Sequence, residues 1–121
     1  VSTPQEVALA DVRRGVAMFR KTAVPVLGVI ENMAWFEQQD GSRAYIFGQG
    51  GAERTAAELG VPFLGEVPLT ISIRETSDAG TPVVVSEPDG PQAKVYRDIA
   101  TKVWEQVKAR SGRAAPAIVF E

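Results

Sequence analysis

The residues best suited to ligand chemistry stand where apolar runs give way to polar ones: Ser2-Thr3-Pro4-Gln5, Glu31-Asn32-Met33, Val67-Pro68-Leu69-Thr70 and Ser86-Glu87-Pro88. Asn32 is the most pointed of them. Its amide carries two donors and an acceptor, so it can match a purine edge that mixes donor and acceptor groups, or satisfy backbone groups of its own loop. Gly48-Gln49-Gly50-Gly51 precedes a helical pattern and offers either a phosphate-binding nest or a flexible loop closing onto that helix. It lacks the Lys and the Ser/Thr of a phosphate-gripping P-loop and does not follow the Gly-x-Gly-x-x-Gly pattern. Asp11, Glu31, Glu66, Asp78 and Glu87 form no acid pair in sequence, so solvated or capping roles are expected of each. No catalytic residue and no metal ligand set is expected.

Composition narrows the classes further. The chain has 121 residues, no cysteine, no histidine and a formal net charge of -2. Disulfides and thiolate ligation by this chain are excluded, and a cytoplasmic setting is expected. No Lys/Arg stripe is present, so no nucleic-acid partner is expected. No apolar run approaches the roughly 20 residues a membrane helix requires. The first residues, Val1-Ser2-Thr3, resemble the end of a strand whose beginning lies upstream, and the chain is expected to be a fragment.

The elements that must position these residues follow from periodicity. Thr3-Pro4-Gln5-Glu6 is expected to start a helix, with Thr3 as cap, Pro4 at the first helical position and Glu6 closing a capping box. Leu9, Val12, Val16 and Phe19 give it one apolar stripe, and it ends near Lys21. Gly15 is expected to mark a close contact. Arg13-Arg14 and Arg20-Lys21 fall on its outer face. Residues 24–30 form a continuous apolar run rich in β-branched residues, expected to be a strand buried on both faces. Residues 34–47 are expected to make a loose hairpin around Asp40-Gly41. Trp35 and Phe36 are assigned to packing or an interface. A helix over 52–59 closes at Gly60. Val61-Pro62-Phe63-Leu64-Gly65 starts another strand, a short helix follows over 71–77, and Val83-Val84-Val85 is expected to be a third strand. The last helix spans 90–108, with Val95, Ile99, Val103 and Val107 four apart. Strands alternating with helices predict an α/β fold: three layers, a mostly parallel sheet with flanking helices. The domain is expected over residues 1–109, with a flexible tail over 110–121.

Several stretches, in order and over about residues 1–108, together resemble the Mrp family of P-loop ATPases, relatives of MinD. They are Val1-Ser2-Thr3-Pro4-Gln5-Glu6-Val7-Ala8-Leu9, Gly28-Val29-Ile30-Glu31-Asn32-Met33, Ile46-Phe47-Gly48-Gln49-Gly50-Gly51, Val61 through Leu69, Ile73-Arg74-Glu75 and Asp78 through Val84. The resemblance implies the C-terminal part of a P-loop NTPase fold that binds and hydrolyses ATP, carries iron–sulfur clusters and delivers them to client proteins. It places Asn32 on the family's adenine-contacting Asn and Pro68-Leu69 on the loop bordering the base. It implies a homodimer, or association with the missing N-terminal half. At Thr70 many relatives carry Asp.

The sequence departs from the family between Met33 and Phe47. Relatives place a Cys-x-x-Cys pair there, through which two subunits share a cluster. This chain has Glu37-Gln38-Gln39-Asp40-Gly41 instead, and Gln and Asp do not replace soft thiolates. Taken alone, the chain is expected to be an inactive ATPase, because it holds no cradle for the phosphates. The alternative is a truncated, non-catalytic interaction or dimerisation module, whose open sheet edge would have to be paired or covered.

Overall fold

The structure is a computed structural model, and it describes residues 1–110. Its elements are α1 (Glu6–Lys21), β1 (Val29–Glu37), β2 (Arg43–Ala44), α2 (Gly51–Leu59), β3 (Phe63–Leu69), α3 (Ile71–Asp78), α4 (Val83–Ser86) and α5 (Pro91–Arg110). The sheet has the order β2-β1-β3, with β1 parallel to β3 and antiparallel to β2. On the β2 side of β1, Ser2 adds one parallel rung: its N–H donates to Ile30 O at 2.9 Å and its carbonyl accepts from Asn32 N at 2.7 Å. The α/β expectation therefore holds, with a mixed sheet in which only the two-residue β2 runs antiparallel to its neighbour.

Helices cover both faces. Leu9 of α1 and Ala52 and Ala56 of α2 form the main apolar core with Val29, and half-buried Val61 and Phe63 close it. Arg13 reaches from α1 to Glu58 and Thr55 on α2. It is half-buried and not on the outer face with exposed Arg14, Arg20 and Lys21. On the opposite face α5 lies so close to β3 that a Cβ at Gly65 would meet Ile99 Cγ1 at 2.9 Å. A helix lies this close to a strand only where the side chain between them is absent.

Several local expectations hold. Gly60 closes α2 in the left-handed conformation that glycine adopts without cost. The hairpin turns at Asp40-Gly41, with Gly41 N–H donating to Gln38 O and Gln38 N–H to Ser42 O. Asp40 Oδ1 accepts from both the hydroxyl and the backbone N–H of Ser42. These bonds, the hydroxyl's first, hold its carboxyl below the usual range. Helices α3 and α5 fall within a residue or two of their expected positions.

Others are corrected. Thr3 does not cap α1. The rung at Ser2 keeps the chain extended through Gln5 (φ -68°, ψ 138°), so the helix begins at Glu6 with no side-chain cap. Gly15 marks no close contact, since a Cβ there would face open space. The strand expected over residues 24–30 begins only at Val29, because Val24 N–H returns to Phe19 O and prolongs the end of α1. β1 then continues through Glu37, so Asn32 lies inside the strand. Val83-Val84-Val85 is the helix α4: both Val85 and Ser86 donate to Pro82 O, and Val83 is buried. Here tertiary packing overrides the β preference of valine. Ser86-Glu87-Pro88 is therefore no strand end. Arg110 is the last residue of α5, and the remainder of the expected tail, 111–121, lies outside the described residues.

Gly51 shows how tightly α2 is seated. A Cβ there would overlap Pro4 O and stand 2.8 Å from Leu9 Cδ1. We expect Gly51→Ala to lower unfolding free energy by about 1–3 kcal/mol, the usual penalty of overpacking. Urea denaturation would show it, and an unchanged midpoint would contradict this packing.

Candidate functional site

The site is built where β1 and β3 part. Their parallel register runs Val29↔Phe63, Ile30↔Gly65, Glu31↔Glu66 and Asn32↔Val67, then breaks and resumes at Phe36↔Leu69. Met33 takes the left-handed conformation at this break, with φ 54°. A non-glycine residue in that region marks a locally constrained turn. The break leaves Asn32 as the last regularly paired residue, beside the Val67-Pro68-Leu69 end of β3. Pro68 is buried, and Asn32 and Leu69 are half-buried.

Asn32 bonds locally and is still available. Its Oδ1 accepts from Met33 N–H at 2.9 Å. Among the described residues no hydrogen bond engages its Nδ2 group, so two donors remain for a ligand. Of the two roles expected of this amide, the local one is seen at its oxygen, which satisfies a neighbouring backbone group. Thr70 serves as the cap of α3, its Oγ1 accepting from Ile73 N–H at 3.4 Å. Ser2 and Thr3 flank β1 on its other side, where Thr3 Oγ1 is buried without a partner among the described residues. The structure thus brings together three of the expected strand-end segments: Ser2-Thr3, Glu31-Asn32-Met33 and Val67 through Thr70. A cavity of about 600 Å³ opens beside them, lined by Ser2, Thr3, Asn32, Val12, Val16 and Val29 among others.

Glu31 is the functional residue that sequence reasoning undervalued. It is only 1% exposed, and its Oε2 accepts from Ala52 N–H at 2.7 Å. A buried carboxylate is held where donors and a favourable dipole meet it, and the first turn of a helix supplies both. The expected default role of capping is therefore met, by a fully buried group. The signal was a single acid inside an apolar strand, ahead of a glycine loop that starts a helix. Its consequence is that the N-terminal turn of α2 already donates to a side chain of this chain, through Ala52 N–H. The Gly48-Gln49-Gly50-Gly51 loop leads directly into this turn, and Gly48 N–H is itself engaged by Tyr45 O.

Glu66 stands opposite Glu31 in the register. Burial pushes its carboxyl above the usual range, with repulsion from Glu31 and Glu53 adding to the effect and Arg43 opposing it. Arg43 itself stacks over Trp35, 3.9 Å from the ring centroid, so the packing role expected for Trp35 includes a cation–π contact. Among the described residues no group of three or more acid side chains is placed to hold a metal ion.

This architecture is shared with nucleotide-dependent ATPases. A Pyrococcus furiosus cell division ATPase MinD superposes with a TM-score of 0.65, covering 87% of this chain and 40% of that one at 23% identity, a likeness of fold. A nucleotide-binding protein from Archaeoglobus fulgidus, solved in complex with ADP, gives 0.61 at 37% identity over 76% of this chain and 37% of its own. The fold is that of the MinD-like P-loop NTPases.

Residues 1–104 match the family model described as ParA: NUBPL iron-transfer P-loop NTPase, and the chain belongs to that family. It is 52% identical over 109 residues to the iron–sulfur cluster transfer protein NUBPL of Dictyostelium discoideum, covering 89% of this chain and 34% of the relative. It is 49% identical over 108 residues to the iron–sulfur cluster carrier protein of Aquifex aeolicus, covering 88% of this chain and 29% of that one. The chain thus spans about a third of the length of the curated relatives it matches.

Removing the carboxylate of Glu31 strands the Ala52 N–H in a dry site. We expect Glu31→Ala to cost about 1–3 kcal/mol of stability, the usual cost of an unmet buried polar group. Amide exchange in the first turn of α2 should quicken at the same time. Native protection of the Ala52 amide in the variant would show that Glu31 does not hold the helix.

Proposed function

We propose that this chain supplies the base side of the ATP site in an iron–sulfur cluster transfer ATPase of the Mrp/NUBPL type. The observation that carries the reading is Asn32, with both Nδ2 donors free beside Pro68-Leu69 at the parting of β1 and β3. In this reading the Asn32 amide donates to a ring acceptor of the base, while Pro68 and Leu69 form an apolar wall beside it. Such a pairing suits a flat ring with polar edges. The ADP-bound Archaeoglobus fulgidus neighbour supports a nucleotide as the ligand.

The described residues fit the base and not the phosphates. At the α2 N-terminus the Ala52 N–H is already taken by Glu31, and the described residues include no P-loop lysine. A phosphate cradle and hydrolysis therefore belong to a longer protein in which this domain takes part, and this chain alone turns over no ATP. The residues present do not fit an iron–sulfur cluster. The chain has no cysteine or histidine, and Asp40 in the hairpin is engaged by Ser42. Delivery of clusters to client proteins, as the relatives' names describe, would use ligands from outside this chain.

A second reading, a non-catalytic interaction module, has one observation in its favour. The Ser2 edge is paired through a single rung and opens onto the apolar cavity along α1. A homodimer fits either reading. Cytoplasmic residence belongs to the same proposal, with the mitochondrial Arabidopsis thaliana relative marking the other possible compartment.

With a phosphate-binding segment supplied upstream, Asn32→Ala is expected to weaken ATP binding by about 1–2 kcal/mol, the worth of one hydrogen bond to the base. Isothermal calorimetry would measure it. Equal affinity in the two proteins would remove Asn32 from the site, and absence of any ATP binding would favour the interaction module.

A further inference from the structure

Glu31 and Glu66 occupy directly paired positions on adjacent parallel strands. Paired residues project to the same face of a sheet, and here that face is the one covered by α2, because Glu31 reaches Ala52 there. One oxygen of Glu31 is satisfied by the Ala52 N–H. The other, Oε1, is fully buried and has no hydrogen-bond partner among the described residues. An acceptor left unpaired in a dry site costs enough that a donor is expected. A metal ion is not indicated, since no third acid side chain among the described residues joins the pair in a ligating arrangement.

We propose that Glu66 is the missing donor: in its protonated form its carboxyl O–H donates to Glu31 Oε1, stapling β3 to β1 and, through Oε2, to the first turn of α2. The proton comes from solvent, and no other reagent is required. The groups facing Glu66 are consistent with this. Glu31 and Glu53 of α2 disfavour its charged form, burial disfavours it most, and Arg43 of β2 pulls the other way. Two carboxylates side by side in a partly dry site hold one proton between them more readily than none. The staple sits one residue before Asn32 and two before Pro68. Its protonation therefore governs how firmly the two strands are joined where they part, whatever ligand the strand ends take.

The sign follows from the raised value. Protonated Glu66 is favoured by the fold, so its contribution is fully present below the ordinary glutamate range. It is lost as pH rises through the elevated value. Above that, Glu66 ionises, gives up its bond and sets a second negative charge opposite Glu31.

Thermal unfolding of the full chain between about pH 4 and about pH 8, spanning the ordinary glutamate range and neutrality, tests the staple. The native protein should lose several degrees of Tm as pH rises through the Glu66 transition. Glu66→Gln, whose Nε2 donates at every pH, should lack that loss and be at least as stable as the native protein at neutral pH. A parallel pH profile, or a variant less stable at neutral pH, overturns the proposal. Should the variant fail to fold, NMR titration of the native chain decides. The Ala52 amide should shift with the same midpoint as the Glu66 carboxyl carbon, and an Ala52 amide indifferent to that midpoint overturns the proposal equally.

Discussion

The structure depends on a buried carboxylate meeting the end of a helix. A buried polar group without a partner is expensive, and Ala52 N–H in the first turn of α2 receives one oxygen of Glu31. That requirement fixes α2 against β1, and α2 in turn presents Ala52 and Ala56 to Leu9 and Val29. Small residues at those positions let the helices approach closely, and Gly51 lets the turn pass against Pro4 and Leu9. The core on this face is therefore arranged around a polar contact. Its position sets where β1 lies and hence where Asn32 stands.

The second constraint is the interruption of the β1–β3 ladder. From Ile30 to Asn32 the strands pair regularly, after a first shift at Val29; beyond Asn32, Met33 turns left-handed and the chain departs before rejoining at Phe36↔Leu69. A regular ladder would bind the strand backbone without pause. The break instead exposes one end of the Asn32 amide while Met33 N–H holds the other. It also redirects the chain into the hairpin, where Arg43 stacks on Trp35 and Asp40 gathers Ser42. Site and hairpin are consequences of the same departure from regular geometry.

What the residues revealed in advance follows the range of the forces involved. Local rules sufficed for α2 with its Gly60 cap, for the Asp40-Gly41 turn and for the helix following Thr70, because each is decided by neighbours in sequence. The grouping of strand ends around Asn32 and Pro68-Leu69 was also legible, since a parallel α/β sheet places them on one side. Non-local competition decided the rest. Thr3 is withheld from capping because Ser2 pairs with Glu31 of β1, far along the sequence. Val83 becomes helical because burial at that spot outweighs valine's preference for strands. Glu31 looked like any solvated acid until its strand was placed beneath the N-terminus of α2.

These constraints also bear on the two kinds of chemistry the family combines. Both a phosphate cradle and a metal-cluster loop need donors or ligands that are not already committed. At the α2 N-terminus the donor is committed to Glu31, and at the hairpin tip the carboxylate is committed to Ser42. The helix turn that follows the glycine loop and the Asp40 turn, which stands where relatives place their cysteine pair, thus each have a polar group met from within the fold. Among the described residues, uncommitted polarity remains in the two Nδ2 donors of Asn32 and in the buried oxygens of Thr3 and Glu31. All three residues lie on or beside β1, at or within one residue of the Ser2 rung. The polarity still open to a ligand is accordingly concentrated where β1 parts from β3. There, the proposed base-edge contact at Asn32 and the proposed proton between carboxyls would act on adjacent residues.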